Sequence, residues 1–176
     1  MEDASDKTAP ERLQAIQTEL SGLARKSNRA PDDITLIAVS KTHGAETITP
    51  VLEAGHRVFG ENRVQEAARK WPGLRRAYAD VQLHLIGALQ SNKAAEAVGL
   101  FDVIHSLDRP KLAAALARAM AESGRKPRLF VQVNTGDEPQ KAGVPVADVA
   151  GFVGDCRTQH GLSIEGLMCL PPVGDA

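Results

Sequence analysis

At 176 residues the chain has the length of one domain with a sizeable core, and 43% apolar with 24% charged residues is ordinary globular composition. A net charge of −1, with acids and bases interspersed, gives no support for a nucleic-acid or membrane surface. Aromatic residues make up only 3%, so the core has to be built from Ala, Val, Leu and Ile.

Residues 1–7 are polar and acidic and are expected to be disordered, which leaves 8–176 as the folded domain. Thr8 and Glu11 have the spacing of a capping box, and Leu13, Ile16, Leu20 and Leu23 behind them mark one helical face. After a loop around Pro31, Ile34 to Val39 is an almost unbroken apolar and β-branched run, the composition of a strand buried on both faces. A helix over 46–54 follows, ended by Gly55, then a strand over 57–59 closed by Gly60. The next helix, over 62–70, is expected to break at Trp71-Pro72-Gly73. A strand over 81–86 ends at Gly87 and leads into an alanine-rich helix over 91–98. Then come a strand over 101–104 and a helix capped by Asp108, with Pro110 in its first turn and Gly124 at its end. A strand over 129–133, a helix over 146–158 and a strand over 162–168 complete the pattern, and 170–176 reads as a loop. Cys156 and Cys169 fit no metal or redox spacing and read as buried thiols. With no signal-type opening and no membrane-length apolar run, these features predict a soluble, cytoplasmic protein.

Regular βα units predict a parallel α/β fold, either an open doubly wound sheet or a (β/α) barrel. No Gly-x-Gly-x-x-Gly follows the first strand, which weakens a dinucleotide reading. Ser40-Lys41-Thr42 stands there instead, at the strand end where parallel folds bind ligands. A lysine partly desolvated at that place is a nucleophile toward carbonyls; the plainer alternative is a lysine that snorkels to solvent. The same face would gather Gly60, Glu61, Asn62, Arg63, His84, Gly87, His105, Ser106, Asn134, Thr135, Gly136 and Met168, which predicts one concave polar site. His84 lies between Leu83 and Leu85 and also reads as a satisfied core histidine. Asn62 also reads as a helix N-cap, and Glu61 and Arg63 as solvated charges at a helix start.

Ala38-Val39-Ser40-Lys41-Thr42, Phe59-Gly60-Glu61-Asn62-Arg63-Val64-Gln65-Glu66 and His84-Leu85-Ile86-Gly87-Ala88-Leu89-Gln90-Ser91-Asn92-Lys93 occur in this order. Val131-Gln132-Val133-Asn134, the 138–143 segment with Lys141, and Gly166-Leu167-Met168 follow. Together they closely resemble the pyridoxal phosphate homeostasis proteins. The resemblance implies a parallel (β/α)8 TIM barrel of the alanine racemase N-terminal domain type. It also implies that pyridoxal 5′-phosphate (PLP) is held at the mouth as a Schiff base on Lys41, with Asn62, His84, Met168 and Lys141 as further cofactor-binding residues. His43-Gly44 stands where the family often has lysine and proline, Arg63 where it usually has tyrosine, and Leu83 where it usually has an aromatic residue.

The function implied is intracellular PLP homeostasis: storage or delivery of the cofactor, by exchange with an incoming amine, to PLP-dependent apo-enzymes, without substrate turnover. Alternatives are a PLP-dependent enzyme such as an amino-acid racemase, a class I aldolase using Lys41, and a structural remnant. The full-length protein is expected to be a monomer, with no nucleic-acid or membrane partner. Six strands are counted, whereas a barrel of this type has eight and takes about 250 residues, about 200 at the shortest. The family's later phosphate-binding segments are not found, so the expectation is a C-terminally truncated, incomplete barrel whose first and last strands are apolar edges.

Overall fold

Parallel strands need neighbours to pair with and helices to carry the chain back between them, and this sequence alternates the two throughout. The computed structural model describes residues 7–136 and 142–171. In it the chain runs α1 (Ala9–Lys26), β1 (Ala38–Val39), α2 (Ala45–Glu53), β2 (Val58–Glu61), α3 (Val64–Ala77), β3 (Gln82–Leu85) and α4 (Ala94–Leu100). It continues through β4 (Val103–Leu107), α5 (Pro110–Ser123), β5 (Arg128–Asn134), β6 (Val144–Pro145), α6 (Val149–His160) and β7 (Ile164–Cys169). Every pairing is parallel, in the order β1-β2-β3-β4-β5, with both β6 and β7 on β5. This is the parallel α/β architecture of a TIM-barrel-type sheet with its helices on one face.

Period-2 alternation divides the sheet. Phe59, Leu83, Leu85, Ile104, Leu129 and Val131 point to the helices and form one core with Ile48, Leu52, Ala67, Trp71, Leu112 and Leu116. Residues of the other parity, His84, His105 and Phe130 among them, meet on the inner face. At the front of the chain the Thr8 amide donates to Glu11 Oε2 at 2.7 Å, as the capping spacing predicts. Gly55, Gly124 and Gly161 follow helices at positive φ, where a glycine carries no Cβ penalty.

Four expectations need correction. The first strand is short and far from doubly buried: Ile34 is 36% and Val39 48% exposed. β1 pairs only with β2 among the described residues, and burial of an edge strand depends on neighbours that its own composition does not report. The helix after β2 does not break at Trp71-Pro72-Gly73 but runs on to Ala77, because Trp71 and Leu74 are anchored in the core while Pro72 lies on the exposed side. A seventh strand, the two-residue β6, extends the pairing at the end of β5, too short to leave a periodic signal. Cys169 is exposed while Cys156 is buried, since Glu165, Leu167 and Cys169 alternate onto a face of β7 that no described helix covers. In addition, Arg109 rather than Asp108 occupies the N-cap position of α5. Residues 1–6, Lys141 and residues 172–176 lie outside the described residues, and so does the stretch expected to be disordered, apart from Lys7.

Candidate functional site

Register decides which side chains share a level at the C-terminal ends of the strands. Val39 pairs with Gly60, and Gly60 with His84. The ladder continues through the Ser40 amide to the Gly60 carbonyl and the Ile86 amide to the Glu61 carbonyl, both at 2.9 Å. Two residues further on, Lys41, Asn62 and Ile86 therefore stand level at the mouth. Lys41 is exposed, and its amine has no recorded partner among the described residues; the partial desolvation expected of it is not found.

Asn62 is half-buried and lines a cleft of about 280 Å³ with Gly87, Gln132, Asn134 and Leu170. It is not a helix cap, since Arg63 occupies that position. Gly87 is there for close approach: a Cβ at this residue would lie 2.3 Å from the Asn62 carbonyl oxygen.

The loop carrying Lys41 is tightly held. The His43 amide donates to the Ser40 carbonyl at 3.2 Å, and Thr42 between them sits at φ +65°, the left-handed region. The Thr42 amide donates to Glu66 Oε1 at 2.5 Å. Lys70 Nζ donates to the Ser40 carbonyl at 2.7 Å, the His43 carbonyl at 2.9 Å and Glu66 Oε1 at 3.0 Å. It also pairs with Glu61 Oε1 at 2.9 Å. Glu61 is fully buried, which overturns its reading as a solvated charge. The alternation of β2 turns it to the helix side with Phe59, where Ser40 Oγ donates to it at 2.5 Å and Trp71 Nε1 at 3.0 Å. Buried charge persists when paired and hydrogen-bonded in this way.

His84 lies one level below Lys41 on the inner face and is buried. Its Nε2 lies 3.0 Å from Gln82 Oε1, and its Nδ1 is 2.8 Å from His105 Nε2. Because the amide oxygen only accepts, Nε2 carries the His84 proton and Nδ1 accepts from His105. Burial, then His105, then Arg128, push the His84 pKa down to about 4. Burial followed by Arg128 lowers that of His105 as well. Both rings are neutral at physiological pH. On its other side His105 packs nearly parallel to Phe130, whose ring centroid lies 4.8 Å from its own. Met168 is half-buried on β7 in register with Gln132, on the inner face that Gly166 shares with Phe130.

The fold thus brings Lys41 and Asn62 to one level, sets His84 deeper, and lines Met168 up with Gln132. Lys141 lies outside the described residues. Sequence reasoning overlooked Glu66 and Lys70, although an acid four residues before a base on a helix was a legible pair. It also overlooked Gln82, two residues before His84 and so on the same face. Among the described residues no group of three or more His, Cys, Asp or Glu side chains is arranged to hold a metal. Nor is any described helix long and apolar enough to cross a membrane.

Residues 12–176 match the family model described as "Alanine racemase, N-terminal domain". The chain is similar to the pyridoxal phosphate homeostasis protein of Vibrio alginolyticus, 34% identical over 161 residues, which cover 90% of this chain and 69% of that protein. The protein of the same name in Escherichia coli K12 is 33% identical over 160 residues, covering 90% and 68%. Among solved structures, PipY of Synechococcus elongatus PCC7942 with PLP bound matches with a TM-score of 0.74 and 42% identity, covering 88% of this chain and 71% of that one. Alanine racemase of Streptomyces lavendulae, at 20% identity and a TM-score of 0.63 over 89% of this chain and 40% of its own, shares the fold.

Proposed function

We propose, since the chain belongs to the family of the pyridoxal phosphate homeostasis proteins, that it binds pyridoxal 5′-phosphate on Lys41 at the mouth of its sheet and holds it for delivery. The observation that carries this reading is Lys41 itself: an exposed amine without a recorded partner, at the C-terminal end of a parallel strand, in a turn whose neighbours are all tied down.

The residues present fit the cofactor. When bound, PLP supplies an aldehyde that joins amines reversibly and a pyridine ring that withdraws electrons. Lys41 is the attachment point. The Asn62 amide, on the same level and in a cleft kept open by Gly87, would hold the cofactor by a hydrogen bond to its ring oxygen. Neutral His84, one level deeper on the inner face, would add no charge to the site, and half-buried Met168 would offer an apolar, adaptable contact. Lys141 is proposed as a second amine that takes the cofactor in passing. The relatives' name supports homeostasis; PLP-dependent apo-enzymes as recipients, the cytoplasm as the setting and a monomer as the working full-length form belong to the same proposal. The racemase alternative has only the shared fold behind it.

The experiment is a PLP titration followed by borohydride reduction and peptide mass spectrometry. The expected outcome is a visible absorption band and one pyridoxyl label on Lys41. A label on other lysines alone, or none, would refute the reading. Conversion of L- to D-alanine by the loaded protein would put the racemase in its place.

A further inference from the structure

Glu66 and Lys70 stand one turn apart on α3, and both reach across to the loop that carries Lys41. We propose that they are positioning residues for Lys41: together they fix the Ser40–His43 turn and so set how tightly the Lys41 amine takes up an aldehyde cofactor. This rests on the reading of Lys41 as the attachment point.

The turn needs holding. Thr42 is β-branched and sits at φ +65°, a conformation that such a residue keeps only when its surroundings impose it. Three hydrogen bonds impose it, one at each end and one in the middle: Lys70 Nζ to the Ser40 and His43 carbonyls at 2.7 and 2.9 Å, and the Thr42 amide to Glu66 Oε1 at 2.5 Å. The clamp is itself anchored. The Lys70 side chain is 9% exposed and that of Glu61, its ion-pair partner, 0%. Glu61 Oε1 is held in turn by Ser40 Oγ and Trp71 Nε1.

A buried ion pair is a poor way to gain stability, because desolvation offsets most of the attraction. What this pair does gain is direction: it places an ammonium group under two backbone carbonyls, where apolar packing would offer no donor. Between the tied residues the Lys41 side chain has no recorded partner among the described residues. Binding then has to order that side chain alone. With the clamp gone it also has to order the backbone around it, and affinity falls accordingly.

The test uses the whole chain and the variants Glu66→Ala, Glu66→Gln and Lys70→Met. In the cofactor-free Glu66→Ala protein, hydrogen exchange at the Thr42 amide should rise by about tenfold or more, the scale of one charge-assisted hydrogen bond. The dissociation constant for PLP should rise by a similar factor. Glu66→Gln keeps an oxygen for the Thr42 amide and should restore both readouts to within about threefold. Reductive methylation of Lys41 by formaldehyde, a probe too small to need orienting, should stay within about twofold in all three variants. Lys70→Met should repeat the Glu66→Ala result; if the unpaired Glu61 unfolds it, the two Glu66 variants decide. Unchanged Thr42 exchange in Glu66→Ala overturns the proposal, and so does faster exchange with an unchanged PLP constant. If the unaltered chain takes no PLP on Lys41, the functional reading falls instead, and pyridine-4-carboxaldehyde replaces PLP as the probe for the same comparison.

Discussion

Nδ1 of His84 stands 2.8 Å from Nε2 of His105, with the two ring centroids 5.1 Å apart. A proton on His84 would have to displace the one His105 donates, inside the sheet and facing Arg128. Burial is the main reason the fold drives the His84 pKa down to about 4, and His105 and then Arg128 add to it.

Acid sensitivity follows with a definite sign. Above pH 6.5 His84 is neutral whether the chain is folded or not, and it costs nothing. Below 6.5 the unfolded chain binds a proton that the folded one refuses, so stability falls with pH until about 4 and then levels. The loss attributable to His84 over this window is about 3 kcal/mol. His105 and His56, whose pKa values burial also lowers, act in the same direction. Urea unfolding from pH 8 to 4 should show the slope, and His84→Gln should flatten it. An equal slope in the variant would clear His84 of the effect.

Lys41→Ala should abolish PLP binding and leave the fold nearly untouched. The side chain is exposed and without a recorded partner, so the stability change should lie within about 1 kcal/mol by thermal melting. A retained visible band would show that another amine carries the cofactor.

How far this was readable in advance depended on the range of the interaction. Helix ends at Gly55 and Gly124, the strand runs around Leu83 and Val131, and the placing of Lys41 past its strand are local patterns, and they were found where the patterns put them. Glu61 was misjudged because its burial depends on Lys70 and Trp71, nine and ten residues away on another element, and on Ser40 across the sheet. Ile34 and Val39 were misjudged for the opposite reason: their composition suits a covered strand, and nothing among the described residues covers them. His84 kept two readings in the sequence because alternation puts it inside the sheet without saying what else is there. The answer, a neutral ring between Gln82 and His105, lies on two different strands.

Gly87→Ala should be destabilising out of proportion to its size. The added Cβ, fixed in place by the backbone, would meet the Asn62 carbonyl oxygen at 2.3 Å, and neither atom can rotate away. Overpacking of this kind costs about 1–3 kcal/mol. The shift should appear in the urea midpoint together with weaker PLP binding, since Asn62 moves with it. An unchanged midpoint would mean that the strand ends are looser than their register implies.

Trp71→Phe keeps a ring in contact with Phe59 but removes the donor that meets Glu61 Oε1 at 3.0 Å. Taking one hydrogen bond from a buried carboxylate should lower stability by about 1–3 kcal/mol. The decisive comparison is the Trp71→Phe, Glu61→Gln double variant, in which the penalty should shrink, because the acceptor deprived of its partner no longer carries a charge.

Trp71 is also the chain's single tryptophan. Its indole nitrogen bonds the carboxylate that anchors Lys70, which in turn grips the turn around Lys41. Intrinsic fluorescence excited at the indole band therefore comes from one ring, sealed from solvent and wired to the loop of interest. Emission from the unlabelled protein should then respond to that loop, and a change on adding PLP is the optical signal expected if the cofactor joins Lys41 as proposed.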